Sequence, residues 1–200
     1  MVFDKKQYKE LLQDMESKDP IIHKIVKKHG YLKPTPKRNI YALLIGSIIG
    51  QKIKFNLARK LRGKLYTKLE TDNFTPQQIQ TLGDSGLKDI GLSELQSTII
   101  MRVTNYIIDN DLQLETPKDI APFIDLKGIG KWTLNCTNIM YNLNTDDSDF
   151  DTQVLYQDLI IKRGIRKLYG ISDNDKIIRL SENWSPWRGL ITWYLWKEFT

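Results

Sequence analysis

Helix-start signals punctuate this chain, and nothing in it alternates as a strand should. Thr35-Pro36, Thr75-Pro76, Thr116-Pro117 and Ser185-Pro186 each set a capping residue directly before a proline. Proline suits the first helical position, where its missing N–H would have had no partner and its fixed φ is already helical. "TPQQ" at 75–78 and "TPKD" at 116–119 add a polar or acidic residue at the capping-box position. Leu, Ile and aromatic residues then recur at spacings of three and four. That spacing predicts helices near 4–16, 38–49, 53–69, 94–109, 117–124, 130–142, 156–168 and 187–198. The acidic, polar stretch "NLNTDDSDFDT", 142–152, reads as the clearest loop. The expected fold class is all-α.

Composition narrows the function classes. The 200 residues suffice for one large domain or two small lobes around a shared cleft. A net charge of +6 favours a polyanionic partner without proving one. A single cysteine, Cys136, excludes an internal disulfide and a four-cysteine zinc or iron–sulfur site. The N-terminus lacks a signal-peptide core, and the longest apolar run, Ile40 to Gly50, is broken by glycine and serine. The expectation is a soluble intracellular protein with no membrane contact, cytoplasmic in a prokaryote and nuclear in a eukaryote. His23 and His29 stand in the N-terminal region without a nucleophile motif, so a metal-dependent nuclease or a serine hydrolase has little support.

One stretch asks for more than a turn. "LKGIGKWTLNC", Leu126 to Cys136, sets Gly128 and Gly130 between two helical patterns. Glycine allows positive φ and close backbone approach. The N–H groups that open the second helix, with the positive end of its dipole behind them, suit a phosphate oxygen. Such a contact reads no base. A G-x-G alone would equally make a tight turn. The flanking residues favour the grip: Leu126 and Ile129 can pack the hairpin, while Lys127 and Lys131 flank the phosphate position.

"LKGIGKWT" resembles the helix-hairpin-helix motif of DNA glycosylases, in the form used by the alkylation-repair branch, the 3-methyladenine glycosylases. Other segments agree in the same order: "SIIGQKI" at 47–53, "GLSELQSTII" at 91–100, "QDLIIKRGIRKLYG" at 157–170 and "WSPWRGLITWYLW" at 184–196. Together they cover most of the chain from about residue 20 onward. The resemblance implies a single domain over residues 1–200, built as two helical lobes around a cleft, with the hairpin motif at about 117–142. It implies a monomer acting on double-stranded DNA that contains alkylated bases. It also implies a sodium or potassium ion at the hairpin carbonyls of Leu126 and Ile129, with no metal held by side chains and no other cofactor.

Asp158 matches the family's catalytic aspartate. Independently, Val154, Leu155 and Ile161 surround it at helical spacing, so it is expected on an otherwise apolar helix face, poorly solvated and strongly coupled to a developing positive charge. On the residues alone, an ordinary ion pair with Lys162 is an equal reading; the resemblance favours catalysis. Asp149 and Asp151 are rivals in the loop. The family often has a proline just before this aspartate, where Tyr156 and Gln157 stand here.

Trp132 and Trp196 match the pocket-lining aromatics of the family. Burial is the commoner reason for a tryptophan. Yet a flipped base needs such a pocket, and a cationic methylated purine stacks well on indole. Cys136 and Leu159 stand where two further family aromatics would be, which bears on substrate preference. Strand-cutting relatives carry a Schiff-base lysine at the second residue after the G-x-G. That position is Trp132 here, so base excision without lyase activity is expected. Gln51 and Lys52 fall at the minor-groove motif, with Lys52 at the wedge position; a solvated helix start accounts for Lys52 equally well. "IKRGIRK", 161–167, fits either phosphate contact or a solvated basic face. Two alternatives stand beside this reading: a non-catalytic hairpin DNA-binding module, and a superfamily glycosylase of another base specificity.

Overall fold

A computed structural model describes residues 3–32, 38–142, 152 and 154–199. Thr35-Pro36, Asp149, Asp151 and all of the 142–152 loop but its two ends lie outside them, as does the Val154 side chain. Every regular element among the described residues is helical. The chain divides into two compact units, Met1–Pro36 with Asn142–Thr200, and Lys37–Tyr141. No helix among the described residues is long and apolar enough to cross a membrane.

The Lys37–Tyr141 unit is organised around α3, Ile40–Ile49, whose ten residues are all buried. A helix apolar on every side must be enclosed by others. Here α4 (Phe55–Leu69) and α6 (Glu94–Asp109) pack on it, and α5 (Pro76–Asp89) packs on α6. Ile45, Ile48, Leu65, Phe74, Leu87, Ile100 and Val103 are fully enclosed. The expected capping box at Thr75 forms with Gln78 and opens α5, a helix absent from the expected set. Thr116 and Asp119 form a second box. The segment it opens, Pro117–Asp125, is a 3-10 helix rather than an α-helix. Pro122 inside it accounts for the difference, because it has no N–H to donate and its ring would crowd the carbonyl four residues back. The unit's last helix is α7, Lys131–Asn142.

The other unit holds α1 (Lys5–Lys18), α2 (Pro20–His29), α8 (Val154–Gln157), α9 (Leu159–Tyr169), α10 (Asn174–Glu182) and α11 (Arg188–Phe199). α11 packs on α2 and α9. Gly164 lets α9 approach α11 closely, because a Cβ there would meet the Phe199 ring. Asp19 is the internal clasp. Its Oδ1 accepts from the amides of Ile21 and Ile22, both at 3.1 Å, and caps α2. Its Oδ2 accepts from Tyr169 Oη at 2.7 Å and Trp184 Nε1 at 2.8 Å. Four donors offset the cost of burying the charge. α2 and α10 were not expected. Both are short, of 10 and 9 residues, and gain their stability from packing rather than from a long periodic pattern.

Candidate functional site

The hairpin begins where Leu126 leaves the 3-10 helix with extended backbone. The Ile129 amide closes a turn onto Leu126 O at 2.9 Å. Ile129 is buried in the core and Leu126 packs against it, while Lys127 and Lys131 are exposed. The two glycines differ in conformation and surroundings. Gly128 has φ +100, and a Cβ on it would collide with Ile99. Gly130 has no left-handed φ and open space around it. Its part is to begin α7: its carbonyl accepts from Thr133 N at 2.9 Å, and it brings no side-chain oxygen to cap the first turn.

Gln51, expected as a DNA contact, ties its own turn to the hairpin. Its Nε2 donates to Gly128 O at 2.9 Å and to Thr133 Oγ1 at 2.8 Å. Arg102 Nη1 donates to Lys127 O. Thr137 Oγ1 ties α7 to Ser47 Oγ at 3.1 Å, and Gln96 Nε2 holds Ile49 O at 2.9 Å. Sequence reasoning missed Arg102, Gln96, Thr133 and Thr137. Only Gln96 left a local trace, as the third residue of the Ser93 capping box. Lys127 O, Gly128 O and Leu126 O each already accept a hydrogen bond, so a cation on the Leu126 and Ile129 carbonyls would take the second lone pair of Leu126 O. Neutral carbonyls suit a weakly hydrated monovalent ion better than a divalent one.

Lys52 is exposed and holds φ 56, the left-handed region that a lysine rarely enters. Such strain persists only where the surroundings enforce it. Trp132 is half-buried, with its Cη2 3.7 Å from where a Cβ on Gly50 would lie. Its indole therefore packs beside the turn that carries Gln51 and Lys52. Cys136, one helical turn on, is buried. Burial holds the Arg62 guanidinium below its usual range, and its Nη1 donates to Gly46 O at 3.2 Å.

In the other unit, Asp158 is 3% exposed. The expected continuous helix over 156–168 is broken there. α8 ends at Gln157, Asp158 takes extended backbone, and α9 starts at Leu159. Asp158 Oδ1 accepts from Ile160 N at 2.9 Å and Ile161 N at 3.0 Å. Its burial thus comes from the helix start and not from a mid-helix apolar face. Leu155 and Ile161, both enclosed, supply the apolar surroundings. The position suits an anion, since two amides hold one oxygen and the positive end of α9 lies behind. Lys162, the expected ion-pair rival, sends its Nζ to Asn174 Oδ1 at 3.1 Å. Leu159 is 65% exposed, and Trp196 on α11 is half-buried. Trp184, the first residue of the "WSPW" segment, is fully enclosed and serves the Asp19 clasp.

No protein-family model matches the chain, and no curated protein does. Solved structures do. A Schizosaccharomyces pombe 3-methyladenine DNA glycosylase in complex with abasic DNA is similar at 21% identity and TM-score 0.71, over 94% of this chain and 95% of that one. A 3-methyladenine DNA glycosylase from Archaeoglobus fulgidus is similar at 21% identity and TM-score 0.69, over 94% of this chain and 68% of that one. A Clostridium acetobutylicum 8-oxoguanine glycosylase/lyase in complex with DNA is similar at 15% identity and TM-score 0.66, over 96% and 69%. The chain therefore has the all-helical fold of the helix-hairpin-helix DNA glycosylases.

Proposed function

We propose that this protein is a DNA glycosylase that excises alkylated purines of the 3-methyladenine and 7-methylguanine type from duplex DNA. The observation that carries the reading is Asp158, a carboxylate buried at a helix start in a chain with this fold. Breaking the bond between sugar and base develops positive charge on the sugar. A fixed carboxylate about 4 Å away stabilises that charge by about 4 kcal/mol at an effective dielectric near 20. The amides of Ile160 and Ile161 orient the group, so little reorganisation is needed as the reaction proceeds. Water then forms the new bond to the sugar carbon as the bond to the base nitrogen breaks. The base leaves with the electron pair, which neutralises its cationic ring, and Asp158 takes the proton from water.

Backbone amides at the start of α7, with Lys127 and Lys131, hold a phosphate, and a sodium or potassium ion on Leu126 and Ile129 carbonyls would add positive charge there. Trp132 and Trp196 supply indole faces for a cationic base, with Cys136 and Leu159 shaping preference. Lys52 enters the stack as the wedge, its strained backbone supporting a role beyond a solvated helix start. Trp132 occupies the Schiff-base position, so strand cleavage is absent.

Base release from methylated duplex DNA tests the reading. Wild type releases 3-methyladenine or 7-methylguanine, Asp158→Asn does not, and borohydride traps no adduct. Equal release by both proteins defeats the role of Asp158. Binding without release by either favours the DNA-binding module. Release only of ethenoadenine, hypoxanthine, uracil or 8-oxoguanine from a substrate panel points to the other specificity.

A further inference from the structure

Residues 39–69 contain seven Lys or Arg and no Asp or Glu. Most of this charge lies on or just before α4. That helix buries Ala58, Leu61 and Leu65 and exposes Asn56, Arg59, Lys60, Gly63, Lys64, Thr67 and Lys68 over the opposite arc. Two of its cations serve the protein: Arg62 donates to Gly46 O and Lys64 Nζ to Ile90 O at 3.2 Å. Lys52, Lys54, Arg59, Lys60 and Lys68 are all exposed. Among the described residues, no carboxylate lies within ion-pair distance of these five, whereas Lys6, Lys18, Lys28 and Lys88 each have one. Glu70 and Asp89 temper the Lys68 end, so the clean charge is at Lys52–Lys60. Gly63 sits mid-helix with nothing within 4 Å of a Cβ, so no packing requires it there. It leaves the middle of the arc low.

We infer that the exposed face of α4 is a second phosphate-contact surface, which holds duplex DNA independently of any damaged base. This rests on the glycosylase reading for its choice of polyanion. Like charges along a helix about 22 Å long repel one another until a polyanion neutralises them. The strip starts at the turn that Gln51 pins to the hairpin, so it extends the hairpin's contact along the backbone. Its contribution is to non-specific binding, which counterion release dominates.

The test measures affinity of the full chain for an undamaged duplex across a series of salt concentrations. R59Q/K60Q should reduce the slope of log K against log salt by about 1.8, at roughly 0.9 per lost contact. K24Q/K27Q, which removes the same charge from exposed positions on α2, should leave the slope unchanged. Glutamine keeps helix propensity, and circular dichroism checks that both variants fold. An unchanged slope in R59Q/K60Q overturns the inference. So does an equal fall in the control, absence of wild-type binding, or stronger variant-sensitive binding to duplex RNA. Base release is scored separately. If wild type releases base while R59Q/K60Q keeps its slope, the surface fails and the glycosylase stands. If the slope falls but nothing releases base, the surface stands and the glycosylase fails.

Discussion

Asp19 and Asp158 are the same device used to different ends. Both are buried, both cap a helix in the same unit, and both receive two amides on Oδ1. Asp19 commits its second oxygen to Tyr169 and Trp184, so it joins α2 to the end of α9 and to the turn before α11. Asp158 lies at a break between two helices, beside a leucine that is 65% exposed. One carboxylate completes a core; the other is held at a helix start next to open surface. Burial and capping alone therefore do not distinguish a structural acid from a reactive one. The Tyr169 and Trp184 donors beyond the cap are what mark Asp19 as structural.

Asparagine substitution separates the two most sharply. Asparagine keeps a capping oxygen, so Asp158→Asn should leave the melting temperature within about 2 °C while single-turnover base release falls roughly 100- to 1000-fold. A comparable loss of stability would mean that Asp158 is structural after all. At Asp19 the same change turns an NH2 toward Trp184 Nε1, which can only donate. Asp19→Asn should cost about 2–3 kcal/mol in denaturant unfolding, with the rate per folded molecule unchanged. Tyr169→Phe removes one of the four donors and should cost about 1 kcal/mol. It also bears on pH. Burial, then the hydrogen bond and charge of Asp19, raise the Tyr169 hydroxyl above its ordinary 10.0. A group whose folded pKa is raised contributes stability below its unfolded value and loses it as pH rises toward the folded one. Stability should thus decline above about pH 10, and less steeply in Tyr169→Phe. The smallest effect is expected from Leu159→Ala. At 65% exposure it should change stability by no more than about 0.5 kcal/mol, so any loss of base release reports contact with DNA.

The hairpin was legible because its signals are local. Gly128, the packing pair Leu126 and Ile129, and the flanking lysines lie within six residues, and turn chemistry acts over that range. Thr75-Pro76 marks the start of α5, but the kink at Gly83 interrupts the periodicity that would reveal the rest of it. The poor solvation of Asp158 was legible, but its place as a cap was not. Flanking apolar residues fit a continuous helix equally well, and only the packed chain selects the break. Gln51 is the opposite case. Its motif pointed outward to DNA, yet its amide reaches a carbonyl 77 positions away.

By itself, then, the sequence determined the all-helical class, the hairpin and the basic run through α4, because caps, glycine turns and charge are properties of neighbouring residues. Tertiary structure alone decided which glycine is indispensable, which glutamine and arginine hold the hairpin, and which buried aspartate is locked into the core. Those roles depend on hydrogen-bond partners distant in the chain, and a buried polar group takes whichever partner the packing brings within about 3 Å.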